Sequence, residues 1–157
     1  MNRAAILTLP LLLLAACGSA PMKEGLWHVT IDNIQSNTCE AAGVDDSSLG
    51  VGQALTVTVT LSEDGKHFTT RDDQGGETHT YDLSGDSFSR TDSVSTVVGD
   101  SCYLRQDVVL DGTFTSDEFA TMTVGDDLST EGDCSAFDVT GVPCSYEAEA
   151  SWEYVGG

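Results

Sequence analysis

The sequence predicts an all-β domain: an antiparallel up-and-down meander of about eight strands, closed into a barrel, with a two-sheet β-sandwich as the alternative. Three observations carry this expectation. Apolar residues recur with a period of two along the chain, and the helical period is absent. Short clusters rich in Gly and Asp punctuate the apolar runs, which is hairpin chemistry. Closing such a meander on itself removes the exposed edges that an open sheet would present.

The elements follow in order. Trp27, Val29 and Ile31 share one face of a first strand. Leu55, Val57, Val59 and Leu61 alternate with Thr56, Thr58 and Thr60, the pattern of a half-buried strand rich in β-branched residues. Further strands are expected at Lys66–Asp72, Glu77–Leu83, Ser87–Asp92, Cys102–Leu110 and Thr113–Val124. In the last strand Tyr146, Ala148, Ala150, Trp152 and Tyr154 oppose Glu147, Glu149, Ser151 and Glu153. Turns are expected at Glu63-Asp64-Gly65, Gln74-Gly75-Gly76, Ser84-Gly85-Asp86 and Asp111-Gly112, the last being the strongest because alternating apolar residues flank it. Two longer connections, Gln35 to Gly52 and Gly125 to Pro143, each contain or adjoin a cysteine, and loops of that length are often functional.

The N-terminus reads differently. Met1-Asn2-Arg3 precedes an apolar run of 13 residues from Ala4 to Ala16. That run is short of the about 20 residues needed to span a bilayer, and it has the parts of a secretory signal peptide. Leu14-Ala15-Ala16-Cys17 resembles the lipobox of bacterial lipoproteins. The resemblance implies cleavage after residue 16 and acylation of Cys17, whose acyl chains would hold the protein on a membrane. In that family an aspartate after the lipidated cysteine favours inner-membrane retention; Gly18 stands there, which implies the outer membrane, on its periplasmic or surface face. Residues 17–24 are expected to form the lipidated cysteine and a tether, and residues 25–157 a single domain.

Charge narrows the function classes. The chain has 26 acidic against 6 basic residues, a net charge of −20. Removing residues 1–16 takes away only Arg3 and no acid, so the exported domain is strongly acidic. Nucleic acid and anionic lipid head groups are repelled. The surface is either simply solvated or suited to a basic partner.

Assigning Cys17 to lipid leaves Cys39, Cys102, Cys134 and Cys144, an even set that fits two disulfides in an oxidising compartment. Of the three connectivities, spacing favours Cys134–Cys144 as a local staple and Cys39–Cys102 as a long-range one. No Cys-x-x-Cys pair is present and no histidine adjoins a cysteine, so a zinc site is not expected. His67 and His79 lie on neighbouring strands, and a shared metal site there would depend on hairpin register, whereas His28, opposite Trp27, is expected to face solvent. Asp72-Asp73, Asp82 with Asp86, and Asp126-Asp127 lack calcium-loop spacing and imply only weak, nonspecific cation binding. No metal and no cofactor is therefore expected.

Gly85-Asp86-Ser87 and Gly99-Asp100-Ser101 resemble the Gly-Asp-Ser nucleophile block of one esterase superfamily. That block belongs at a strand-to-helix junction with an Asp-x-x-His near the C-terminus, whereas the last histidine here is His79. Both copies read as turns, and the chain is expected not to be an enzyme.

Gly25-Leu26-Trp27 resembles the Gly-x-Trp signature of lipocalins, eight-stranded barrels that hold small apolar ligands. The resemblance implies that Trp27 packs across the closed end of a barrel. The family's later Thr-Asp-Tyr motif and C-terminal helix are not found. The expected function is a membrane-anchored, non-enzymatic barrel binding a small hydrophobic ligand, with Trp27, Phe68, Tyr81, Phe88, Phe119 and Trp152 as candidate lining residues or, alternatively, as core filling. The alternative function is an acidic module that binds or inhibits a basic protein at the cell envelope, as small acidic periplasmic barrel lipoproteins that inhibit lysozymes do, although their motifs are not matched.

Overall fold

A computed structural model describes residues 21–46, 49–72, 76–137 and 139–157. The expected signal peptide, Cys17, and the Asp73, Gln74 and Gly75 part of one expected turn lie outside the described residues. Eight strands follow one another: β1 (Gly25–Asn37), β2 (Ala54–Leu61), β3 (His67–Asp72), β4 (Thr78–Ser84), β5 (Ser87–Gly99), β6 (Cys102–Ser116), β7 (Phe119–Gly132) and β8 (Cys144–Gly156). They close into a barrel in chain order, with every neighbouring pair antiparallel and β1 pairing β8. The only helical piece among the described residues is a 3-10 turn at Glu40–Ala42.

Alternation sets which side chains fill the barrel. Trp27, Val57 and Val59, Phe68, Tyr81, Phe88, Leu110 and Phe114, Ala120 and Met122, and Ala150 and Trp152 point inward and form one continuous core. The aromatic residues crowd one end. Phe68 stacks on Tyr81 at 4.7 Å between ring centres, and Phe88 packs on Phe114 at 4.8 Å. Trp27 meets Phe114 and Tyr154 edge-on and donates its indole N–H to the Lys23 carbonyl at 3.0 Å.

That bond belongs to a lid of backbone. Met22 is buried in the core, and the Lys23 N–H donates to the Asp117 carbonyl at 3.1 Å. The expected tether therefore ends sooner than residue 24: Met22 and Lys23 are part of the folded domain, because Met22 covers the aromatic end that would otherwise face water. Gly25 has φ +127°, and a Cβ there would lie 2.5 Å from the Gly156 carbonyl oxygen, so this first glycine lets β1 close on β8.

Two sequence expectations need correction. Asp111-Gly112 is not a turn; both residues lie within β6, and the chain reverses at Asp117-Glu118, between the paired Ser116 and Phe119. Gly112 is required by packing instead, since a Cβ there would sit 2.0 Å from Cζ of Phe88. Phe88 cannot yield, being held by Phe68, Tyr81, Phe114 and Trp152. Gly112→Ala is accordingly expected to lower stability by about 1–3 kcal/mol, the usual cost of overpacking, as read by urea unfolding. A neutral substitution would show that Phe88 has room to move.

The second correction is the cysteine pairing. The bonds are Cys39–Cys144 and Cys102–Cys134, with Cα separations of 5.0 and 4.8 Å. Barrel closure decides this. Asn37 pairs with Tyr146 across β1 and β8, so Cys39 and Cys144, two residues beyond, meet on adjacent strands. Cys102 pairs with Gly132, which delivers Cys134 to it in the same way.

The two long connections also begin later than expected, and β5 runs past its expected end at Asp92. β1 runs on to Asn37, β5 to Gly99 and β7 to Gly132, because Ser, Thr and Val continue the strand pattern past Asp92 and Gly125. The Cys39–Cys144 bond pins the first connection and Cys102–Cys134 the second, both at the end of the barrel away from the aromatic cluster.

Candidate functional site

The barrel is filled at its aromatic end and open at the other. β4 and β5 pair only through Asp82–Ser84 with Ser87–Ser89, and beyond Ser89 they part. A pocket of about 230 Å³ lies where they separate. Val29, Val57, Met122 and Trp152 form its apolar side, with Leu55 at the rim. Thr70, His79, Tyr81 and Arg90 face them, and Asp72 and Glu77 close the mouth.

Strand parity explains how polar groups reached the interior. On β3, Phe68 and Thr70 share a face; on β4, His79 and Tyr81 do; on β5, Phe88 and Arg90 do. Arg90 is stabilised there by an ion pair with Asp92 and by lying 5.5 Å from the centre of the Tyr81 ring. Trp152 borders the pocket but is itself almost fully buried, and its indole N–H, shielded from water, has no acceptor among the described residues.

The candidate lining residues separate into two groups. Trp27, Phe68, Tyr81, Phe88 and Trp152 are buried, but Phe68 and Phe88 are spent on packing the aromatic end and Trp27 on closing it; only Tyr81 and Trp152 border the pocket. Phe119 belongs to neither group. It is 39 % exposed at the start of β7, where the inward positions are Ala120 and Met122. Sequence reasoning missed Phe114, because a turn at Asp111-Gly112 breaks the alternation that otherwise runs inward through Leu110, Gly112 and Phe114. It also passed over Thr70, His79 and Arg90, although their spacing of two from Phe68, Tyr81 and Phe88 placed each on the inner face.

The other chemical candidates disperse. His67 faces outward, its Nδ1 2.9 Å from Asp82 Oδ1, while His79 faces inward, so no site joins them. His28 is partly exposed on the face opposite Trp27. Gly85-Asp86 forms the β4–β5 turn, with φ +61° at Gly85, and Asp100-Ser101 the β5–β6 turn at the opposite end. Asp126 and Asp127 point to opposite faces: Asp126 is 2 % exposed and accepts a hydrogen bond from Gln106 Nε2 at 2.6 Å, whereas Asp127 faces solvent. Burial, and then the Asp126 carboxylate beside it, push the Tyr146 phenol up to about 12. Among the described residues no group of three or more His, Cys, Asp or Glu side chains is arranged to hold a metal ion.

A larger concavity, about 730 Å³, lies on the outer surface. Asp32, Asp82, Asp111 and Glu149 line it together with serines and threonines such as Ser87, Ser89, Thr113 and Thr121. Among the described residues no lysine or arginine lines it, so it is a surface of negative potential. The sequence matches no protein-family model, and no curated protein matches it.

Proposed function

We propose that this protein is a lipid-anchored, non-enzymatic barrel of the cell envelope that binds a small, largely apolar molecule carrying a hydrogen-bond acceptor. The observation that carries this reading is the pocket between β4 and β5 itself, an apolar wall faced by Thr70, His79 and Arg90. Arg90 and His79 on the polar side favour a carboxylate or carbonyl on the occupant. The apolar wall of Val29, Val57 and Met122 suits the rest of the molecule. At about 230 Å³ the pocket is below the roughly 300–1,000 Å³ of sites for drug-sized ligands, so the occupant is small.

The anchor rests on Leu14-Ala15-Ala16-Cys17 and on an apolar run too short to span a bilayer, and Gly18 supports an outer-membrane destination. Metabolic labelling with radioactive palmitate is the direct check: label is expected on the wild type and absent from Cys17→Ser. Label retained by that variant would remove the anchor from this reading.

Ligand binding is tested on the chain from residue 17 onward with Cys17→Ser, exposed to a cell lipid extract and analysed by native mass spectrometry. Retained small carboxylates or carbonyl compounds are expected. Arg90→Met keeps much of the side chain's length but removes its charge and donors, and it is expected to lower retention about tenfold, the equivalent of one hydrogen bond of about 1–1.5 kcal/mol. No retained species, or equal retention by Arg90→Met, overturns the proposal.

A second reading is favoured by the outer groove lined by Asp32, Asp82, Asp111 and Glu149: binding of a basic protein by charge. Such binding would weaken steeply between low and high salt in a pull-down. A partner whose capture ignores salt would not support it.

A further inference from the structure

The barrel is not closed along its whole height. β5 pairs with β6 from Ser87 to Gly99 but with β4 only through Ser89, so from Arg90 onward one side of β5 has no strand beside it among the described residues. Every second residue there turns its N–H and C=O away from β6. Natural edges of this kind are normally blunted by lysine, proline, a bulge or shortness. Here Ser93-Val94-Ser95-Thr96-Val97-Val98 carries no charge and no proline, keeps a regular register with β6 as far as Val97, and has β-branched residues at four of its six positions. Val94 is 56 % and Val97 68 % exposed, and Val97 lies opposite the exposed Tyr103 on β6.

This edge is also held rigid. The Cys102–Cys134 bond ties the tip of the β5–β6 hairpin to the end of β7. Phe137 packs against Gly99, where a Cβ would lie 1.9 Å from its ring. On the outer face Arg105 bridges Asp107 at 2.7 Å and Glu131 at 3.0 Å and donates to the Ser93 hydroxyl at 3.2 Å. A preformed edge of this kind loses little conformational freedom when a strand is added to it.

We infer that the Ser93–Val98 edge of β5 accepts an extended polypeptide segment by strand addition, and that this segment is apolar and uncharged in the middle with a basic residue at each end. Main-chain hydrogen bonds along the edge hold the segment, and its alternate side chains lie over Val94 on one face or over Val97 and Tyr103 on the other. Charge selects the occupant. Asp100 stands at one end of the edge; at the other Asp92 shares its charge with Arg90, so attraction there comes from the net charge of −20 carried by the chain as a whole. A second copy of this chain would bring another net −20 to the interface, whereas a segment with basic ends is attracted. The inference is independent of the pocket between β4 and β5, since none of its apolar contacts line that pocket.

The test uses the chain from residue 17 onward with Cys17→Ser, labelled with nitrogen-15, and the synthetic peptide Lys-Thr-Val-Val-Thr-Thr-Val-Thr-Lys at low ionic strength. Amide shifts confined to β5 from Ser93 to Val98 and its immediate neighbours are expected, with binding weakened at least fivefold when both lysines are glutamate and abolished when alternate peptide amides are N-methylated. Val97→Lys, at an exposed position that leaves the fold intact by circular dichroism, is expected to weaken the peptide at least tenfold, and Val94→Lys similarly. Absence of shifts along β5, equal binding of the glutamate-ended peptide, or a concentration-dependent dimer of the protein itself with β5 at its interface would overturn the inference.

Discussion

Replacing Phe68 by alanine is expected to lower the unfolding free energy by about 3–5 kcal/mol, the usual range for a buried phenylalanine. Phe68 is fully buried at the centre of the aromatic end. It stacks on Tyr81 at 4.7 Å and meets Phe88, Trp152 and Phe114 edge-on at 5.5, 6.0 and 6.2 Å. Four rings lose a neighbour at once, and none can move inward without leaving another. Against a typical domain stability of about 5–15 kcal/mol, that loss is a large fraction of the whole. The measurement is the urea midpoint at constant slope. A loss under about 1 kcal/mol would mean that the rings border open space, which is the hollow barrel that the present packing contradicts.

Loss of the Cys39–Cys144 bond is expected to cost more than loss of Cys102–Cys134. The two bonds close loops of 105 and 32 residues. Restriction of the unfolded chain grows with the logarithm of loop length, giving about 4.8 kcal/mol for the longer loop and about 3.7 for the shorter, a difference of about 1 kcal/mol. In the native state both bonds tie neighbouring strands that share a long register, Cys39–Cys144 β1 to β8 and Cys102–Cys134 β6 to β7, so the expected difference comes from the unfolded chain. Paired cysteine-to-serine variants, Cys39→Ser with Cys144→Ser and Cys102→Ser with Cys134→Ser, compared by thermal and urea unfolding, separate the two. An equal or reversed order would show that the unfolded chain is not what these bonds restrain.

Most of the barrel was legible in the chain because its determinants are local. A period of two marks a strand with one wet and one dry face, and each of Leu55–Leu61 and Tyr146–Tyr154 carries enough of that pattern to be read alone. Glu63-Asp64-Gly65 and Ser84-Gly85-Asp86 were legible as turns because Gly65 and Gly85 take positive φ, a property of the residue itself. Asp111-Gly112 carries the same pair of letters for a different reason. Gly112 makes room for a ring from β5, and a requirement set by a side chain on another strand leaves no local trace.

The pocket was half legible. Its apolar wall follows from alternation, and so do the inward positions of Thr70, His79 and Arg90 once Phe68, Tyr81 and Phe88 are placed. That β4 and β5 part after Ser89 was not, because both strands continue in pattern and only the closure geometry decides where one stops following the other.

Composition, period and turn residues, read along the chain, specify an acidic chain whose domain is an eight-stranded antiparallel meander, since each of these properties is carried by a residue and its near neighbours. Pairing of the cysteines, the packing duty of Gly112, the outward position of Phe119, the burial of Met22 over the aromatic end and the free edge of β5 all depend on which distant residues closure brings together. Cys39 and Cys144 meet because β1 and β8 are adjacent only in the closed barrel, and contacts between the two ends of a chain are invisible until the sheet has closed.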